Sequence, residues 1–134
     1  MESRTLDHIL LVDDDKVTNL LHQRQIRRRQ LARHVDVVTD GQAALEFLQE
    51  CADSNVALPE LILLDINMPR MNGFEFLESY AALPNKPDQI PTIVMVSTST
   101  LRKDKARAVR SPLVANYVTK PLRDIDLERI VSAC

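Results

Sequence analysis

The sequence predicts an α/β fold, a five-stranded parallel sheet with helices on both faces, and three observations lead there. Short apolar runs recur at His8 to Val12, Leu61 to Leu64 and Thr92 to Val96, each too short for a helix. A run of that length bounded by turn residues reads as a strand buried on both faces. Stretches with apolar residues at helical spacing stand between the runs, so strand and helix alternate along the whole chain. Strict alternation favours parallel pairing through right-handed crossovers. Finally, each apolar run ends abruptly on acids or hydroxyls: Asp13-Asp14-Asp15, Asp65 and Ser97-Thr98. Open α/β sheets collect their ligands at that carboxyl edge.

In chain order, the first strand at His8 to Val12 runs into the acidic triplet, whose charge suits the positive end of a following helix. Val17, Leu20 and Leu21 give that helix an apolar stripe, which lapses at Arg24, Gln25 and Arg28 and resumes at Leu31. His34 to Val38 is a second strand of mixed polarity. Asp40-Gly41 opens a second helix with Leu45, Leu48 and Ala52 on one face. Ser54-Asn55 and Pro59 punctuate the approach to the third strand. After Gly73 a third helix turns Phe74, Leu77 and Ala81 inward. Pro84, Pro87 and Pro91 make a stiff connector that cannot be helical.

The fourth strand at Thr92 to Val96 precedes a polar helix over Arg102 to Val109, which stops before Pro112. Asn116 to Thr119 is a fifth, short strand, followed by Lys120-Pro121. A last helix from Asp124 carries Leu127, Ile130, Val131 and Cys134 at helical spacing. The first, third and fourth strands are almost wholly apolar and belong in the centre; the mixed second and fifth belong at the edges. That assignment gives the flavodoxin-like (βα)5 order 2-1-3-4-5.

The whole chain, 134 residues that are 45% hydrophobic and 27% charged, fits one domain over 1–134 with its core over about 8–133. No apolar run approaches the ~20 residues of a membrane span. The first residues lack the features of a secretory signal. Cys51 and Cys134 have no metal-ligand spacing and read as reduced thiols. These observations lead us to expect a cytoplasmic protein with no membrane partner. The net charge of −2 argues against bulk nucleic-acid affinity. One local cluster runs against it: Arg24, Arg27, Arg28, Arg29 and Arg33 crowd the first helix. A solvated face is the plain reading, a docking patch for an acidic partner the sharper one. Nucleic-acid binding ranks third, since the chain has few aromatics.

In a parallel sheet Asp13, Asp14, Asp65, Ser97, Thr98 and Lys120 all lie along one edge. Each alone would be a cap, a turn or a surface lysine. Together they place three carboxylates where only positive charge relieves their repulsion. A hard divalent cation with oxygen ligands, Mg²⁺ above all, suits such a set. Lys120 adds a point charge for an anion and Ser97 a hydroxyl donor. A nucleophilic carboxylate, a metal and hydrogen-bond donors are what a phosphoryl group on Asp65 needs.

The segments Leu11-Val12-Asp13-Asp14-Asp15, Leu63 through Gly73 (Leu-Leu-Asp-Ile-Asn-Met-Pro-Arg-Met-Asn-Gly), Met95-Val96-Ser97-Thr98 and Tyr117-Val118-Thr119-Lys120-Pro121 resemble those of response-regulator receiver domains of two-component phosphorelay systems. The likeness is to the single-domain, chemotaxis-regulator type and covers essentially the whole chain. The resemblance implies that Asp65 accepts a phosphoryl group from a histidine kinase or histidine phosphotransfer protein, with the chain catalysing only its own phosphorylation and dephosphorylation. It implies that Asp14, Asp65 and the backbone carbonyl of Asn67 bind Mg²⁺ (or Mn²⁺), with Asp13 assisting through water. Ser97, Thr98, Lys120 and Asn67 match the phosphate-binding positions. Ser97 and Tyr117 match the switch pair, and Lys120-Pro121 matches a cis peptide. Signalling would then pass to a downstream target protein through the fourth helix, fifth strand and fifth helix, near Arg102, Lys103, Lys105, Arg107 and Arg110. A homodimer is left open.

Other readings fit less well. A phosphoaspartate hydrolase wants a second acid two residues after the first, where this chain has Asn67. A dinucleotide enzyme wants a glycine-rich first turn, and the chain has only Gly41 and Gly73. A pseudo-receiver, a phosphorylation-independent interaction module, usually lacks part of the acidic set that is complete here.

Three positions depart from the family pattern. Thr98 stands where a smaller residue is commoner, and Pro112-Leu113-Val114-Ala115 replaces a glycine-containing turn. Ser99, two residues beyond Ser97, offers no carboxylate to orient a hydrolytic water. Self-dephosphorylation is therefore expected to be slow, and Ser99→Glu is expected to speed it. A phosphoryl lifetime unchanged by that substitution would count against this reading.

Overall fold

The computed structural model describes residues 4–83 and 91–134. Ten elements alternate: β1 (Leu6–Val12), α1 (Lys16–Arg29), β2 (Ala32–Val38), α2 (Gly41–Asp53), β3 (Leu61–Leu64), α3 (Gly73–Ala81), β4 (Thr92–Ser97), α4 (Arg102–Arg110), β5 (Val114–Thr119) and α5 (Asp124–Ala133). The strands form one parallel sheet in the order β2-β1-β3-β4-β5, as the polarity of the runs requires. Of the proline connector, Pro84 and Pro87 lie outside the described residues; Pro91 is buried just before β4.

Because side chains alternate across a strand, each central strand feeds two cores. Leu10, Val12, Ile62, Leu64 and Met95 face α2, α3 and α4, where they meet Ala44, Leu48, Phe74, Phe76 and Ala108. Ile9, Leu11, Leu61, Leu63 and Val94 face α1 and α5, meeting Ile26, Leu127, Ile130 and Val131. Three helices start on caps that the sequence supplies. The Asp15 carboxylate accepts from the Val17 N–H (3.2 Å) and the Thr18 hydroxyl (2.7 Å), and Asp40 accepts from the Ala43 N–H (2.8 Å). Asn72 and Glu75 form a reciprocal capping box at α3.

The structure overturns the expected orientation of α1. Val17, Leu20 and Leu21 point to solvent, 63%, 63% and 53% exposed, and the buried face is Asn19, His22 and Ile26. The helix starts at the polar carboxyl end of the sheet and ends over its apolar face, so polar side chains near its start help to fix its rotation. The Asn19 amide donates to the Asp13 carbonyl (2.8 Å), and the Gln25 amide donates to the Leu122 carbonyl (2.8 Å) and the Asp124 carboxylate (3.0 Å). The arginine cluster is partly committed within the fold. Arg28 and Arg29 bond Asp124, Arg29 also bonds Glu128, and Arg33 bonds Asp7. Two smaller corrections concern the last turns of α2 and α3, where Ala52 and Ala81 are exposed. A methyl group buries too little area to hold its turn inward. Phe76 and Tyr80 fill the inner face of α3 beside Phe74 and Leu77.

The reversed face of α1 has a measurable consequence. Ile26→Ala is expected to destabilise the fold by about 2–5 kcal/mol. Leu20→Ser and Leu21→Ser should each stay within about 0.5 kcal/mol of the parent in urea unfolding.

Candidate functional site

The backbone register sets the site. In the β1–β3 pairing Val12 stands opposite Leu64, so Asp13 and Asp65 leave the sheet side by side. The Asp65 N–H still donates to the Val12 carbonyl (2.9 Å), and the Asp13 N–H to Val38 of β2 (3.1 Å). One carboxylate oxygen each from Asp13, Asp14 and Asp65 lies within 4.8 Å of the others. Asp13 and Asp65 are buried; Asp14 is exposed.

Lys120 meets this cluster from β5. Its N–H donates to the Ser97 carbonyl (2.8 Å), which aims the side chain back over the strand ends. The ammonium stands 2.6 Å from Asp13 Oδ2 and 3.6 Å from Asp65 Oδ1, with all three side chains largely buried. Asp13 is further held by the Asp15 N–H on its Oδ1 (2.9 Å). Burial, and then the neighbouring Asp13, push Asp65 up to about 6, with Lys120 and the Ile66 N–H pulling the other way. The peptide bond Lys120-Pro121 is cis.

On the β4 side, the buried Ser97 hydroxyl accepts from the Ser99 N–H (3.2 Å). The Ser99 hydroxyl donates to Asp104 (2.5 Å), and the Ser99 carbonyl accepts from the Tyr117 hydroxyl (2.8 Å). Ser97, Ser99, Tyr117 and the first turn of α4 are therefore one hydrogen-bonded group. Thr98 is exposed and, with Lys120, Pro121 and Leu122, borders a cleft of about 690 Å³ whose other wall is α1 (Leu21, Arg24).

Asn67 is exposed on the loop that leaves β3. That loop is tied at its far end, where the Gly73 N–H donates to the Ile66 carbonyl (2.8 Å). A Cβ on Gly73 would run into the Asp65 carbonyl oxygen, so no larger residue fits there. Carboxylate and carbonyl oxygens of this kind are the donor set of a hard divalent cation.

A family model described as "Response regulator receiver domain" matches residues 9–132. The chain belongs to the response-regulator receiver-domain family. It is 35% identical over 123 residues to the probable methanogenesis regulatory protein FilR2 of Methanothrix harundinacea, covering 92% of this chain and 77% of that one. It is 34% identical over 131 residues to the response regulator Rcp1 of Synechocystis, covering 97% and 87%. A two-component response regulator from Cytophaga hutchinsonii superposes with a TM-score of 0.88 at 32% identity, covering 97% of both chains. The phosphorylated cyanobacterial phytochrome response regulator RcpA gives 0.76 at 29%, covering 96% and 91%. The Mn²⁺-bound form of Rcp1 gives 0.72 at 31%, covering 95% and 90%. Receiver domains act as phosphoryl-accepting switches and bind Mg²⁺ or Mn²⁺ at an acidic pocket; here Asp13, Asp14 and Asp65 gather into an acidic cluster at the strand ends.

In this receiver domain the strand-end residues Asp13, Asp14, Asp65 and Lys120 converge, while Ser97 and Tyr117 meet through Ser99. Asn67 and Thr98 lie on the exposed loops beside them. Sequence reasoning did not single out Ser99 as the meeting point of Ser97, Tyr117 and Asp104. It also missed the bond between Arg70 and Asp40, two residues 30 positions apart. Asp40 carried a signal as a helix cap; Arg70 carried none. No helix among the described residues is long and apolar enough to cross a membrane.

The raised Asp65 gives a testable sign. A carboxyl whose folded pKa exceeds its ordinary 3.8 is a liability when ionised, so its destabilisation is complete above about 6 and fades as pH falls toward 3.8. Asp65→Asn should therefore stabilise the metal-free protein at about pH 7.5 by about 1–3 kcal/mol. In urea unfolding with chelator, that gain should shrink steadily as the buffer is taken below pH ~6.

Proposed function

We propose that this chain is a response regulator in which Asp65 accepts a phosphoryl group from a histidine kinase or histidine phosphotransfer protein, with Mg²⁺ or Mn²⁺ required. The observation that carries the reading is the meeting of the Asp13, Asp14 and Asp65 oxygens with the Lys120 ammonium. That RcpA has been seen phosphorylated and Rcp1 with Mn²⁺ supports it.

An Asp65 carboxylate oxygen attacks phosphorus as the bond to the donor histidine nitrogen breaks, and the released imidazole keeps the bonding pair. Asp65 is ionised at neutral pH despite its raised pKa, so the nucleophile needs no general base. Asp14, Asp65 and the Asn67 carbonyl, with Asp13 through water, would hold a divalent cation, which when bound would neutralise the charge gathered there. Lys120 and the Ser97 hydroxyl hold phosphoryl oxygens, with Thr98 and Asn67 beside them. The exposed Val17, Leu20 and Leu21, next to the cleft that Lys120 and Thr98 line, are where the donor protein docks, with Arg24 at the rim.

Output passes to a target protein in the cytoplasm through α4, β5 and α5, since Tyr117 and Ser97 share Ser99 with the first turn of α4. Of the basic residues there, Arg107 is already engaged, bonded to Glu78 and stacked on Phe74.

The deciding experiment is incubation with acetyl phosphate and Mg²⁺ followed by intact-mass measurement. The parent should gain one phosphoryl group; Asp65→Asn, or the parent in chelator, should gain none. A parent that stays unmodified under these conditions would sink the proposal and leave a phosphorylation-independent interaction module.

A further inference from the structure

The loop between β3 and α3 carries Asn67, and something outside it holds its shape. Arg70, in the middle of that loop, has φ +62°, a left-handed conformation that long side chains adopt rarely. Its guanidinium reaches across to Asp40, with Nε at 2.9 Å and Nη2 at 2.8 Å from the same carboxylate oxygen. Asp40 is nearly enclosed, 7% exposed at its side chain, while the Arg70 side chain is 62% exposed. The other Asp40 oxygen caps α2 through the Ala43 N–H. Burial alone would raise the Asp40 carboxyl, yet that N–H and the guanidinium hold it below its ordinary value.

A second tie lies beside the first. The Gly41 N–H donates to the Met71 carbonyl (2.9 Å). A Cβ at Gly41 would stand 2.8 Å from both that oxygen and Met71 Cγ. The start of α2 is thus pressed onto residues 70 and 71 so closely that only glycine fits. The opposite end of the loop is pinned by Gly73 to Ile66. Between these two anchors the chain passes through Asn67, and its main-chain path is set by them.

We propose that Arg70 is a positioning residue for the cation site: by binding Asp40 it locks the loop onto α2 and so fixes the Asn67 carbonyl. The inference rests on the reading above that this carbonyl is a cation ligand. A charge-assisted pair directed by the Nε–H bond suits the task, because it defines direction as well as distance. Lysine would keep the charge and lose the fork.

The test is Mn²⁺ binding, followed by the electron paramagnetic resonance of free Mn²⁺, with thermal midpoints in chelator recorded alongside. Arg70→Ala and Arg70→Gly should each bind Mn²⁺ about tenfold more weakly than the parent. Arg70→Gly matters because glycine accepts the left-handed backbone, so the loop keeps its allowed conformation while the pair is lost. Arg70→Lys should fall between. At saturating Mg²⁺ all three should still gain the phosphoryl group from acetyl phosphate. Parent-like Mn²⁺ affinity in both Arg70→Ala and Arg70→Gly would overturn the inference, as would Arg70→Lys binding no better than Arg70→Gly. A parent that binds no Mn²⁺ would overturn this inference and the cation reading of the site together.

Discussion

Two carboxylates are forced together at the end of β1 and β3, and the rest of the molecule answers that constraint. Parallel strands sit about 4.8 Å apart. Because Val12 and Leu64 are in register, the residues that follow them cannot separate by much more than one strand spacing. Like charges at that range in a partly dry setting repel strongly. Lys120 reduces the repulsion from one side, closer to Asp13 than to Asp65. Burial above all, and then the neighbouring Asp13, leave Asp65 a poorly stabilised acid that the more distant Lys120 relieves only in part. A group in that state gains from any additional positive charge, and the exposed Asp14 stands where one would be shared. The site is electrostatically incomplete as folded, and on the proposed reading a divalent cation completes it.

Holding such a cluster takes a rigid frame, and the sheet supplies one. β1, β3 and β4 are buried on both faces, so neither side can relax without opening a core. The loops beyond them are tied where it counts: Gly73 against Ile66, Gly41 against Met71, Asn19 against Asp13. Stabilisation thus comes from the apolar body, and the clustered carboxylates stand at its carboxyl edge. Stability lost at such an edge is the usual accompaniment of function.

That division also explains what could be read from residues alone. The three central strands were legible because total burial leaves an unbroken apolar run, and the edge strands because one exposed face breaks the run. The strand-end acids and Lys120 followed from topology once the strands were placed. The face of α1 was not legible. Both 17-20-21 and 19-22-26 are helical stripes, and hydrophobicity favours the first. The second wins because it meets both kinds of surface beneath it: Ile26 enters the apolar core, while carbonyls of Asp13 and Leu122 bond the amides of Asn19 and Gln25. The bonds of Arg70 to Asp40 and of Ser99 to Asp104 and Tyr117 depend on side-chain reach between loops, which periodicity does not encode.

The Ser97 hydroxyl shows how one edge can inform a distant face. It now accepts from the Ser99 N–H. On the proposed reading, the same hydroxyl donates to a phosphoryl oxygen on Asp65, and turning toward it weakens the hold on Ser99. Ser99 has three other engagements: its hydroxyl donates to Asp104 at the start of α4 and accepts from the Leu101 N–H, and its carbonyl lies under the Tyr117 hydroxyl. Moving the one residue therefore disturbs a helix start and an aromatic side chain at once, without either touching the phosphoryl group. A buried serine has few alternative partners, so its reorientation falls between discrete arrangements and is not absorbed by gradual drift. On that reading the coupling is local and short, four hydrogen bonds around Ser99, and for that reason one covalent change can throw it.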